Sequence, residues 1–265
     1  GYNQHTQIEI SQVDISLERL PEEFDGLTIA HLSDLHHGRF ISQDYLQHCV
    51  QLTNSLKPDL IALTGDFTFG AKAYAEPCGE VLQALRANIG IYGVLGNHDH
   101  YNSAGRITRA ISAAGANVLI DQRESLEKGG RRLWIIGVDD LQHGHTDLPR
   151  LLSDCPQNEF RLTLSHNPEF LDLYADHQQH TDLMLSGHTH GGQIRLPLLG
   201  APHLSLTGHK YVMGLNQFIR RKEEVNKEAI LETPFAHPVR QVDGITIMQR
   251  EEFIVAPFET ELAEV

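Results

Sequence analysis

The sequence predicts an α/β fold built on largely parallel sheets. Two observations carry that prediction. Short apolar runs of strand length alternate with segments whose apolar residues recur every three or four positions. Four or five of the apolar runs also end abruptly in Asp, His or Asn with Gly beside it, and open α/β sheets form their sites beyond such strand ends.

The elements follow in order. Residues 6–17 alternate apolar and polar, first at Ile8 and Ile10, then at Val13, Ile15 and Leu17. The change of parity predicts one or two edge strands with a break near Ser11–Gln12. A turn over 21–26 leads into the apolar run Leu27–Leu32. A helix is expected over 42–56, stopped by Lys57–Pro58. Strand 59–64, helix 80–87 and strand 89–95 come next, and then a helix over 103–114 with Ser103 as N-cap and Gly115 as its stop. Further strands are expected at 117–120, 132–138, 161–164 and 182–185, with a short helix after Pro168. Beyond Gln217 the pattern thins: 220–227 is a charged run of a solvated face or loop, and 245–248 and 253–255 read as strands.

The chain has 265 residues, enough for one large domain with its own core. No apolar run approaches the ~18 residues that cross a bilayer. The formal charge of −14 argues against duplex nucleic acid as the main partner. The three cysteines are far apart and form no C-x-x-C, so they read as small buried hydrophobes. The 17 histidines are many, and they direct the search towards metal ligands.

The polar residues at the strand ends form five segments: 33–38, Gly65–Asp66, 96–99, 165–167 and 187–192. Carboxylate and amide oxygens mixed with imidazole nitrogens suit zinc, manganese or iron. Asp34 and His36, like His188 and His190, are two apart, so a strand running out points both members of each pair one way. A single Gly–Asp is ordinarily a turn. Five such segments in a fixed order are not.

These segments resemble the calcineurin-like metallophosphoesterase superfamily, whose pattern is D-x-H, G-D, G-N-H-D/E, a lone H and G-H-x-H. The resemblance covers about the first 215 residues. It implies a four-layer α/β/β/α sandwich of two mixed sheets, with a dinuclear metal site at the carboxyl ends of the strands. It also implies two divalent ions, manganese favoured over iron or zinc. Asp34, His36, Asp66 and His190 would hold one ion; Asp66, Asn97, His166 and His188 would hold the other, with Asp66 bridging. His98 would protonate the leaving oxygen. Some branches place an orienting Asp where this chain has Phe69, which leaves Asp99 or a backbone carbonyl to orient His98.

The segments at 20–27, 190–197 and 210–215 look like one bacterial branch, often membrane-anchored or exported. That branch includes enzymes that cleave the pyrophosphate of UDP-diacylglucosamine. The resemblance thus implies a phosphodiester or pyrophosphate bond in a small-molecule or lipid-linked substrate, and peripheral membrane association at the cytoplasmic face or after export, with no anchor in the sequence itself. The apolar, Pro-rich stretch 196–206 is either a lipid-facing lip or an ordinary buried loop and strand. The alternatives are a phosphomonoesterase or protein phosphatase, and a scaffold that has lost its metals. A single domain is expected over 1–265, with 216–265 its divergent C-terminal part.

Overall fold

In the computed structural model, the described residues are 8–190, Tyr211 and the backbone of 245–251. The expected strand at 253–255, the charged run at 220–227 and the apolar stretch at 196–206 lie outside them. The fold is α/β with two sheets.

The six-stranded sheet holds β1 (Glu9–Ile15), β2 (Thr28–Leu32), β3 (Leu60–Thr64), β4 (Gly90–Val94), β5 (Asn117–Val118) and β10 (Ile245–Glu251). Its order is β1-β10-β2-β3-β4-β5. All neighbours are parallel except β1 with β10. The four-stranded sheet runs β6 (Gln122–Lys128), β7 (Arg131–Gly137), β8 (Phe160–Ser165) and β9 (Leu183–Ser186), with only β6 antiparallel.

Central strands are buried on both faces, which explains why they read as unbroken apolar runs. Along β3, Leu60 and Ala62 point one way and Ile61 and Leu63 the other. Leu60 and Ala62 share an apolar cluster with Ile29, Val94, Leu133, Ile135, Phe160, Leu162 and Leu185 between the two sheets. Ile61 and Leu63 pack with residues of α1 (Gln43–Ser55), α2 (Ala75–Leu82) and α3 (Asn97–Ala113). A third cluster joins Ile136 and Val138 to α4 (Leu148–Leu151) and to Phe170 and Tyr174 of α5 (Phe170–Asp176). No described helix is long and apolar enough to cross a membrane.

Several elements differ from expectation. β1 is one strand, without a break at Ser11–Gln12, because its ladder with β10 runs unbroken from Glu9 to Ile15. The parity change has another meaning: Val13 and Ile15 face the core, while Ile10 faces solvent on the outermost strand. The helix expected over 80–87 starts earlier, as α2. Pro77 is tolerated in a first turn, and Gly79 lets α2 close on α3, since a Cβ there would stand 2.6 Å from the Ala110 carbonyl oxygen. Ser103 breaks α3 (φ 127°), so the helix expected from 103 onwards is present but preceded by a separate helical segment that begins at Asn97. β6 and α4 are additions: β6 is polar and mostly exposed, so its alternation is faint.

Candidate metal centre

Both sheets present the carboxyl ends of their parallel strands to one edge, and the five polar segments meet there. The chain leaving β2 runs beside the chain leaving β3. Asp34 N–H donates to the Gly65 carbonyl (3.0 Å), His36 N–H to that of Asp66 (2.9 Å), and His37 N–H to that of Phe67 (2.9 Å). On the second sheet Gly187 N–H donates to the His166 carbonyl at 3.1 Å. These bonds fix which side chains face one another.

Asp34, His36, Asp66, His188 and His190 all have positive φ, from 45° to 70°. Non-glycine residues rarely adopt this region, and its concentration at one site marks backbone held against its preference. The neighbouring glycines answer steric needs. A Cβ on Gly187 would overlap the Ser33 hydroxyl and the Asp34 carboxylate, and one on Gly96 would overlap Asp66 Oδ1.

The donors converge closely. His36 Nε2 lies 3.1 Å from His190 Nε2, and His190 Nε2 lies 3.2 Å from Asp34 Oδ1. His166 Nε2 is 3.3 Å from Asp66 Oδ2, 3.2 Å from Asn97 Oδ1 and 3.1 Å from His188 Nδ1. Two sets have all their ligand atoms within 4.8 Å of one another: Asp34, His36 and His190; and Asp34, Asp66 and His166. Asp34 is common to both. Asp66 joins only the second, although its Oδ2 stays 3.7 Å from His36 Nε2. All seven residues expected as ligands therefore stand at this edge.

The tautomers suit cations. The Thr64 carbonyl can only accept, so the 2.7 Å contact places the proton of His166 on Nδ1 and turns Nε2 towards Asp66. The Asp34 carboxylate accepts from Ser33 Oγ–H at 2.6 Å and from His188 N–H at 3.0 Å. Burial opposes its charge, but the imidazoles of His190, His166 and His36 outweigh burial and hold it well below the usual carboxylate range. Burial would lower His166, but Asp66 and Asp34 lift it to about 10. Burial brings His36 down to about 4 against those same carboxylates. Lone pairs packed this tightly repel one another unless a positive charge sits among them, a proton or, better, a divalent ion that displaces it. The donor set thus fits hard-to-intermediate divalent cations.

His98 sits beside this cage. Its ring centroid is 5.0 Å from that of His36, edge to face, and 5.0 Å from that of Phe69. Its backbone N–H donates to Asp66 Oδ1 at 2.8 Å. Asp99 does not orient the His98 ring. Its buried carboxylate turns the other way and accepts from Gly96 N–H (3.0 Å) and Phe67 N–H (2.9 Å), which ties the start of α3 to the exit of β3. Among the described residues, no backbone carbonyl accepts a hydrogen bond from the His98 ring either. Phe69, at the position where some branches of the family carry an orienting Asp, packs against the His98 ring with the two planes at 49°.

A sixth strand end adds to these five. Gly137-Val138-Asp139-Asp140 closes β7 with a signal like that of the other five, an apolar run ending abruptly in Asp. Asp139 and Asp140 are buried and pair with His100 and His143.

The steric reading of Gly96 gives a test. Gly96→Ala should push the Asp66 carboxylate from its place, at about 1–3 kcal/mol in stability and a roughly tenfold or greater loss of metal affinity. Gly93→Ala, whose Cβ would meet Leu63 at an ordinary 3.5 Å, is the control. Equal metal content in the two variants would refute the steric argument.

Comparison with known proteins agrees with this geometry. The model of the family described as calcineurin-like phosphoesterase matches residues 27–192, from β2 past the last pair of histidines. The chain is 34% identical to "Phosphodiesterase YaeI" of Escherichia coli (strain K12), over 73% of this chain and 71% of that protein. It is 31% identical to "Uncharacterized metallophosphoesterase YkuE" of Bacillus subtilis (strain 168), over 82% of this chain and 78% of that one. It is 28% identical to "Transmembrane protein with metallophosphoesterase domain" of Danio rerio, over 70% of this chain but 45% of that one, so it spans under half of that relative's length. The chain belongs to the calcineurin-like phosphoesterase family, a family of hydrolases that work with divalent metal ions.

Proposed function

We propose that the protein hydrolyses a phosphodiester or pyrophosphate bond with two divalent ions, manganese favoured over iron or zinc. The observation that carries this reading is the meeting of seven oxygen and imidazole donors from five strand ends, each within 3.3 Å of at least one other. The name of the E. coli relative favours a diester over a monoester. The three apolar clusters support a four-layer α/β/β/α arrangement of helices outside two sheets.

In this reading Asp34, His36, Asp66 and His190 hold one ion; Asp66, Asn97, His166 and His188 hold the other, with Asp66 between them. Bound, such a pair supplies positive charge for the phosphoryl oxygens and a water of lowered pKa. The protein's own groups do the rest. Thr64 and Ser33 fix ligand tautomer and direction. Asp66 Oδ1, by accepting from the His98 backbone, ties the position of the acid to that of the metal cage. His98, on the rim, gives its proton to the departing oxygen. A small-molecule or lipid-linked substrate, and peripheral membrane association at the cytoplasmic face or after export, belong to this proposal as the company such a reaction keeps in the branch described above.

The test is turnover of bis-p-nitrophenyl phosphate and of p-nitrophenyl phosphate after loading with Mn²⁺. Faster metal-dependent cleavage of the diester is expected. Preference for the monoester would move the protein to the phosphomonoesterases. A fully metallated protein inert to both esters would make it a scaffold.

A further inference from the structure

The carboxyl end of β7 carries a second group of paired side chains beside the metal cage. His100 Nε2 is 2.8 Å from Asp139 Oδ1, and His143 Nδ1 is 2.6 Å from Asp140 Oδ1. The two imidazoles stack, with centroids 5.3 Å apart and planes at 13°. Each ring has one nitrogen engaged by a buried carboxylate. Among the described residues, no hydrogen bond engages the other, Nδ1 of His100 or Nε2 of His143. The loop that bears His143 is folded tightly onto the carboxylates. Asp140 Oδ1 also accepts from the backbone of Gln142 and His143, both at 3.0 Å, and a Cβ on Gly144 would stand 2.6 Å from that of Asp139. This is a braced pair, held in place before any ligand arrives.

Its position relative to the reacting centre follows from ring contacts. His36 touches His98 (5.0 Å), His98 touches Tyr101 (6.0 Å), and Tyr101 touches His143 (4.7 Å). Leu141 N–H donates to Asn167 Oδ1 at 2.9 Å, which ties the same loop to the residue after His166. The pair is therefore linked to the metal cage through the rings of Tyr101 and His98, on the His98 side. If His98 protonates the departing oxygen, that is the side on which the leaving group exits.

We infer that His100 and His143, braced by Asp139 and Asp140, form a subsite for a second, non-reacting phosphoryl group carried on the leaving group. The inference rests on the hydrolase reading above for the direction in which the leaving group departs. The chemistry matches. An imidazole donating to a carboxylate through one nitrogen can donate to a phosphate oxygen through the other when both are protonated. The hydrogen bond to Asp139 favours that state in His100, holding its pKa above the ordinary value. The subsite implies a pyrophosphate linkage, or a leaving group phosphorylated near the scissile bond, in preference to a plain diester.

AMP and ADP differ by one phosphoryl group and serve as probes, measured as competitive inhibitors of bis-p-nitrophenyl phosphate turnover by the Mn²⁺-loaded protein. Wild type should favour ADP over AMP by about tenfold, the order expected of a charge-assisted hydrogen bond. His143→Ala should bring the ratio close to one, and His143→Arg, which supplies a hydrogen-bond donor at the same place, should recover most of it. A wild-type ratio near one overturns the subsite. So does a His143→Ala variant that weakens both inhibitors by the same factor. If the loaded wild type turns over no ester, the hydrolase reading fails by itself. The two ligands are then compared by equilibrium binding, where the same ratio decides on the subsite.

Discussion

Asp66→Asn is expected to reduce bound metal from two ions per chain to at most one, and to lower turnover by roughly a thousandfold or more. The fold should survive. Asn keeps an oxygen that can accept from the His98 backbone N–H, as Asp66 Oδ1 does at 2.8 Å. What it loses is the anionic Oδ2, which lies 3.3 Å from His166 and 3.7 Å from His36 and so faces both halves of the cage. An amide there turns N–H groups towards cations. Asp34, common to both compact donor sets, is the residue best placed to retain one ion when Asp66 is lost. Elemental analysis beside far-UV circular dichroism checks the result. Unchanged stoichiometry and activity in a folded variant would remove Asp66 from the bridging role.

His98→Ala is expected to keep both ions and to lower turnover by about 10²–10⁴-fold. The loss should depend on the leaving group. A p-nitrophenolate needs little protonation as it departs, whereas an alkoxide needs much, so the defect should be smaller with p-nitrophenyl esters than with alkyl esters. That dependence separates an acid from a residue that only shapes the pocket, since lost shape would affect both ester types alike. Full activity on an alkyl ester would take His98 out of the chemistry.

The site was legible in the sequence because its chemistry is written in residue type. Asp34, His36, Asp66, Asn97, His166, His188 and His190 stand directly after apolar runs, and parallel strands carry such positions to one edge whatever the loops do. The buried strand β3, Leu60–Thr64, was legible for a related reason: burial on both faces leaves little room for polar residues. What escaped depends on tertiary context. β6, with Gln122, Arg123 and Glu124 at its start, is a strand only because β7 offers it an edge. α2 begins early because Gly79 permits close approach to α3. The direction of the Asp99 side chain is set by the backbone of Phe67 and Gly96, which no local pattern announces. Asp139 and Asp140 carried a strand-end signal like that of the others and were legible, but belonged to none of the five motif blocks.

The donors at this edge should enclose a pair of cations. Anomalous diffraction from crystals of the Mn²⁺-loaded protein tests it most directly. Two peaks about 3.5–4 Å apart are expected, one among Asp34, His36 and His190, the other among Asp66, Asn97, His166 and His188. A single peak, or manganese bound only elsewhere on the molecule, would contradict it.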